Sequence, residues 1–235
     1  LQWLGGMGIV VLFVAIFPGV GVGSKHMFRG EAPGATSENL KPRIAETASI
    51  LWRLYLAFTG LLFLLLLFQG MSGFDSLCHA LTTMATGGFS TRNDSMGAFS
   101  PSIQYTVAVF MLISTVNYGL YFIALRKRNL QCFRESTEFR IFLGIIAAFT
   151  LGLFLLNYAL HDSDLELNFR RSFFMVATSI SSTGYSNHAY AASAEYAGYG
   201  PAAMGIFVLM LLVGGCAGST SGGIKVERFV IAAKQ

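Results

Sequence analysis

Five long stretches of this chain contain no charged residue: Leu1–Gly23, Leu54–Phe68, Ile103–Leu125, Ile141–Leu160 and Gly200–Ile224. A helix needs roughly 20 apolar residues to cross the hydrocarbon core of a bilayer. Most of these stretches reach that length, and the second does so if Arg53 snorkels to the interface. With no water at that depth, every backbone N–H and C=O must be paired within the protein, and a helix does this by itself. Charged residues make up 12% of the 235, about half the share of a soluble domain. The expected fold is therefore an all-α integral membrane protein with several spans in the lipid bilayer, and no nucleic-acid partner. The chain begins inside an apolar stretch without an initiator methionine or basic leader, so an excerpt of a longer membrane protein is expected, not a signal peptide. Cys78, Cys132 and Cys216 form no ligand spacing and read as unpaired thiols.

Two shorter apolar segments, Phe74–Ala85 and Phe169–Ser181, are about half a crossing long. That length favours re-entrant helices, with an amphipathic surface helix as the alternative. The distribution of basic residues bears on the choice. Lys25, Arg29, Lys41 and Arg43 lie in one connecting loop, Arg126, Lys127, Arg128, Arg134 and Arg140 in a second, and Lys225, Arg228 and Lys234 in the tail. The positive-inside rule puts all three in the cytoplasm. An even number of crossings must then separate the two loops, which holds only if each short helix dips in from outside and returns.

The chain also repeats. Displaced by 96 positions, Ser76 falls on Ser172, Thr82 on Thr178, Gly88 on Gly184, Phe89 on Tyr185 and Ser90 on Ser186. Each set lies in the order span, short helix, glycine loop, span, and a repeat of this kind dictates architecture. Non-helical backbone survives at membrane depth only where it lines a water-filled cavity or is buried in protein. The two loops read Thr86-Gly87-Gly88-Phe89 and Ser182-Thr183-Gly184-Tyr185, a hydroxyl, any residue, glycine, aromatic order like that of potassium filters. Successive carbonyls can replace an ion's hydration shell only if the backbone adopts dihedrals that glycine takes cheaply. The expected roles are backbone carbonyls of Thr86, Gly87, Ser182 and Thr183 facing K⁺, Gly88 and Gly184 permitting that backbone, and Phe89 and Tyr185 packing outward to hold it. The short helix before each loop would aim its negative C-terminal end at the cation. Ordinary glycine-rich turns are the plainer alternative, and two loops in register within a repeat weigh against it.

With those residues in view, the chain resembles the potassium-translocating membrane subunit of the bacterial Trk system, in the wider Trk/Ktr/HKT superfamily. "LQWLGGMGIVVL" resembles the second span of that family's first repeat, and "CHALTTMATGGFST" the second repeat's pore helix and filter. "LLVGGCAGSTSGGIKVER" resembles the broken helix and intramembrane loop of the third repeat. The implied layout is a repeat 1 span over 1–23 and a cytoplasmic loop over 24–47. Repeat 2 covers 48–125, with pore helix 74–85 and filter 86–90. A cytoplasmic loop over 126–140 leads to repeat 3 over 141–224, with pore helix 169–181, filter 182–186 and loop 214–223. The next segment starts at 225–235. The family's subunits carry four such repeats around one pore, so the first filter, the fourth repeat and that repeat's basic residue are absent here. The resemblance further implies K⁺ as transported ion with no cofactor, the bacterial cytoplasmic membrane, a homodimer and a cytosolic nucleotide-binding regulatory subunit. Glycine at 88 and 184 favours K⁺.

Gly214, Gly215, Ala217, Gly218, Ser219, Thr220, Ser221, Gly222 and Gly223 lie within ten positions. Each glycine costs a helix about 1 kcal/mol relative to alanine, so a stable mid-membrane helix is not expected there. From the residues alone, a flexible plug and a small-residue helix-packing patch stand level; the resemblance favours a gating loop. The segment is no phosphate loop, since Ile224 separates Gly223 from Lys225 and no strand precedes it. An intramembrane serine hydrolase using Ser219 or Ser221 is the rival from another class. It needs a histidine base at membrane depth, and only His79 qualifies, within a pore helix away from the broken helix. The chain is accordingly not expected to be an enzyme.

Overall fold

The computed structural model describes residues 1–6, 44–160, 164–187 and 209–232. The expected repeat 1 span, the first cytoplasmic loop and the start of the last span lie largely outside them. We number the helices α1 (Gln2–Gly6), α2 (Ile44–Phe68), α3 (Gly73–Met84), α4 (Pro101–Thr115), α5 (Tyr118–Lys127), α6 (Gln131–Glu135), α7 (Thr137–Leu160), α8 (Leu165–Ile180) and α9 (Val226–Ala232). Residues 209–212 are also helical. Among the described residues the extended pairing is a single bridge between Val213 and Ile224.

Among the described residues, two helices are long and apolar enough to cross a membrane: α2 over Ser49–Phe68, of mean hydropathy 2.1, and α7 over Thr137–Ala159, of mean hydropathy 2.3. Both expose leucines, among them Leu56, Leu61 and Leu64 on α2 and Leu143, Leu151 and Leu155 on α7. A helix so apolar around its circumference belongs in lipid. The short helices α3 and α8 lie against these spans, α3 on α2 and α8 on both α7 and α4. Each starts at a side-chain cap. Ser72 Oγ accepts the Asp75 N–H, and the Asp164 side chain accepts the Glu166 N–H. A carboxylate in each first turn, Asp75 and Glu166, meets the positive end of the helix dipole.

The apolar stretch Ile103–Leu125, expected as one span, is not one straight helix. It breaks between α4 and α5 with a bend of 88°. The sequence at the break is Ser114-Thr115-Val116-Asn117. The Ser114 and Thr115 hydroxyls donate back to the Met111 and Leu112 carbonyls, each at 2.6 Å. Asn117 caps α5 by accepting the Gly119 N–H at 2.8 Å. Hydroxyl back-bonding competes with the helical ladder, and an asparagine cap begins a new one. The apolar composition continues through the break, so periodicity gives no sign of it.

Candidate functional site

The two short helices end in the same way. After α3, the Gly87 N–H bonds the Thr82 carbonyl at 2.7 Å and the Thr86 N–H bonds the Thr83 carbonyl at 3.0 Å. After α8, the Thr183 N–H bonds the Thr178 carbonyl and the Ser182 N–H the Ser179 carbonyl, both at 3.0 Å. This is the Schellman termination, which requires a left-handed residue just past the helix. Thr86 occupies it at φ 52° and Ser182 at φ 56°. A non-glycine residue there costs roughly 1–2 kcal/mol, so a hydroxyl residue stands at both sites despite a backbone penalty. Two residues on, Gly88 and Gly184 take φ 67° and 90°. Gly88 has a second reason to be glycine: a Cβ on it would stand 2.0 Å from the Thr183 carbonyl oxygen. The two candidate filter strands thus approach each other backbone to backbone.

Tyr185 fastens one unit to the other. It is buried, with its hydroxyl 2.5 Å from Thr82 Oγ1 and 3.3 Å from Thr83 Oγ1 on α3. Thr82 has one proton to give, and its oxygen lies 2.9 Å from the Cys78 carbonyl and 3.0 Å from that of Phe89. A consistent network therefore has Tyr185 donating to Thr82. Phe89 stands at the corresponding place in its own repeat. It is 67% exposed, has no hydroxyl, and meets no preceding pore helix among the described residues. Beyond the filter, the Met96 N–H donates to the Ser186 carbonyl at 2.8 Å, and the Ser186 N–H donates to Ser95 Oγ at 3.3 Å. The interlock therefore continues past Tyr185 to the Ser95–Met96 turn.

His79 and Asp75 brace the first unit from behind. His79 is fully buried, with Nδ1 2.7 Å from the Asp75 carbonyl and Nε2 2.9 Å from Ser90 Oγ. A carbonyl only accepts, so Nδ1 carries the proton and a neutral ring takes the Ser90 proton at Nε2. Sequence reading placed His79 at membrane depth but missed this link to the strand after the filter. At the outer end of α3, the Asp75 carboxylate accepts from the Thr91 hydroxyl at 2.6 Å and from Arg92 at 2.7 Å. The Thr91 hydrogen bond, then that of Arg92, lowers its pKa from 3.8 to about 2.

The glycine-rich segment forms a closed loop, not a helix. The Gly214 N–H bonds the Ile224 carbonyl at 2.9 Å and the Ile224 N–H the Leu212 carbonyl at 3.1 Å, pinching its neck. Gly214 is required at the neck, since a Cβ there would lie 2.1 Å from the Gly222 carbonyl oxygen. Carbonyls at the end of α4 hold the loop body. Thr115 accepts the Cys216 N–H at 2.9 Å, Ser114 accepts from Thr220, and Gly218 in turn accepts the Tyr118 N–H. The break between α4 and α5 is thus the seat of the loop. From there the loop reaches the start of both glycine strands. Thr86 Oγ1 donates to the Thr220 carbonyl at 3.0 Å, and a Cβ on Gly222 would meet Ser182 Oγ at 3.3 Å. Residues 86 and 182 and the loop, far apart in sequence, come together in one place.

Among the described residues, neither Ser219 nor Ser221 meets a histidine. Ser219 Oγ donates to the Cys216 carbonyl at 2.6 Å, Ser221 Oγ accepts the Gly215 N–H at 2.9 Å, and both ring nitrogens of His79 are engaged elsewhere. All three cysteines are free thiols.

Paired units of span, short helix, left-handed turn and glycine strand, with a glycine-rich loop against both strands, define an all-helical membrane protein built from repeated units. The family follows from sequence. A model of the TrkH family, described as cation transport protein, matches residues 1–235, and the chain belongs to that family. It is 41% identical over 244 residues to the Trk system potassium uptake protein TrkH of Salmonella typhimurium, with all of this chain and 48% of that protein covered. It is 32% identical over 237 residues to the TrkG protein of the same system in Escherichia coli, again covering 48% of it. The crystal structure of the potassium transporter TrkH from Vibrio parahaemolyticus superposes with a TM-score of 0.80 at 34% identity, covering 99% of this chain and 46% of that one. The chain spans about half the length of the curated relatives it matches.

Proposed function

We propose that the chain supplies the second and third repeats of a K⁺ uptake pore in the bacterial cytoplasmic membrane. The observation that carries this reading is the duplicated filter geometry: two pore helices closed by the same pair of hydrogen bonds, with Thr86 and Ser182 in the same left-handed conformation. The relatives' names, which specify potassium uptake, supply the ion. Carbonyls of Thr86, Gly87, Ser182 and Thr183 replace part of the hydration shell of K⁺, and two further repeats complete the ring. The loop over Gly214–Gly223 lies beneath both strands and acts as the gate. The working unit is a homodimer bound on its cytosolic side by a nucleotide-binding regulatory subunit, as the family resemblance implies.

The test is ion flux through the full-length protein carrying Gly88→Ser or Gly184→Ser. Each new Cβ falls at a positive φ, and at position 88 also on the Thr183 carbonyl. We expect discrimination of K⁺ over Na⁺ to fall by about tenfold or more, the equivalent of roughly 1.4 kcal/mol of ion-binding difference. Unchanged selectivity in both variants would remove the filter assignment.

A further inference from the structure

We infer that Glu138, on the first turn of α7, is the positioning residue that holds the 214–223 loop against the filter. This rests on the reading of that loop as the gate. At membrane depth a loop keeps its place only if its backbone polar groups are paired. The described partners of this loop's N–H groups are carbonyl and hydroxyl oxygens, with one exception. Ala217 N–H, at the tip, donates to Glu138 Oε1 at 2.7 Å. This acceptor comes from the outer span of the repeat, not from the broken helix that seats the rest of the loop.

The carboxylate sits at a junction. Burial and the Glu227 carboxylate on α9 oppose its charge, and the Glu227 backbone and Lys225, just before α9, favour it. Lys225 Nζ in turn donates to the Ser221 carbonyl within the loop, and the Val226 N–H donates to the Gly215 carbonyl. Glu138 therefore ties the loop tip to the segment that follows the loop. It stands two residues past Ser136, where α6 and its basic neighbours turn into α7. A partner displacing that corner would move the carboxylate directly. Cys216, next to Ala217 and fully buried, reports whether the loop has left its seat.

The experiment uses the full-length protein in a background where Cys216 is the sole cysteine. Labelling of Cys216 by a small thiol reagent is measured alongside K⁺ flux per folded molecule. Glu138→Ala removes the acceptor, and labelling and basal flux should each rise about tenfold or more. Glu138→Gln retains an amide oxygen for the Ala217 N–H and should stay within a few-fold of the parent in both. If Glu138→Ala yields no folded protein, Glu138→Asp takes its place, its carboxylate being one methylene short of the loop. Unchanged labelling overturns the latch, and so does Glu138→Gln labelling as fast as Glu138→Ala. Faster labelling with unchanged flux upholds the latch and rejects the loop as gate.

Discussion

Tyr185 has the heaviest task of any single side chain described. Its hydroxyl joins the filter strand of one unit to Thr82 and Thr83 of the other, and its ring stacks on His79 with centroids 5.9 Å apart. Tyr185→Phe keeps the ring and removes the bonds, leaving a buried threonine hydroxyl without its partner. The expected loss is about 1–3 kcal/mol of stability, read by thermal unfolding of the full-length protein, with weaker discrimination of K⁺ over Na⁺. Unaltered stability would mean the contact does not hold the strands. At this scale the sequence was legible in part. Gly88 and Gly184 were identifiable because only glycine takes their backbone cheaply. Tyr185 and Phe89 looked equivalent because they occupy the same place in the repeat. What separates them is a contact between residues over a hundred positions apart, for which no local pattern exists. Glu138 had the appearance of an ordinary acidic residue in a helix's first turn.

Among the elements, the break between α4 and α5 is the one that composition conceals. Hydropathy responds to apolar content, and that content runs unbroken from Ile103 to Leu125. The only local sign is the Ser-Thr-Val-Asn run, two back-bonding hydroxyls followed by a good cap. The short helices, in contrast, were legible from their length, and the non-helical loop from its glycines. Asn117→Ala tests the break. It deletes the α5 cap, at a cost of about 1 kcal/mol. It also removes the side chain that stands 3.1 Å from a Cβ built on Gly218. We expect lower unfolding temperature together with faster thiol labelling of Cys216, because the cap and the loop's seat are one structure. Loss of stability with no change at Cys216 would separate them.

At the scale of the whole molecule, the repeat and the placement of basic residues both call for re-entrant pore helices. Asn93, exposed after the glycine strand that follows α3, and Asn129, exposed after α5, should then lie on opposite sides of the membrane. Single cysteines at these positions, in a background without native cysteines, should react with an impermeant reagent from opposite faces only. Reaction of both from one face would reverse the topology and with it the pore.

The bond from Tyr185 back to Thr82 also sets an order of assembly. A chain is made from its N-terminus, and its earlier units form first. The α3 hydroxyls are therefore in the bilayer before the tyrosine that covers them has been synthesised. The unit carrying α3 thus presents the surface on which Tyr185 docks, and the later strand is fastened only once that surface is in place.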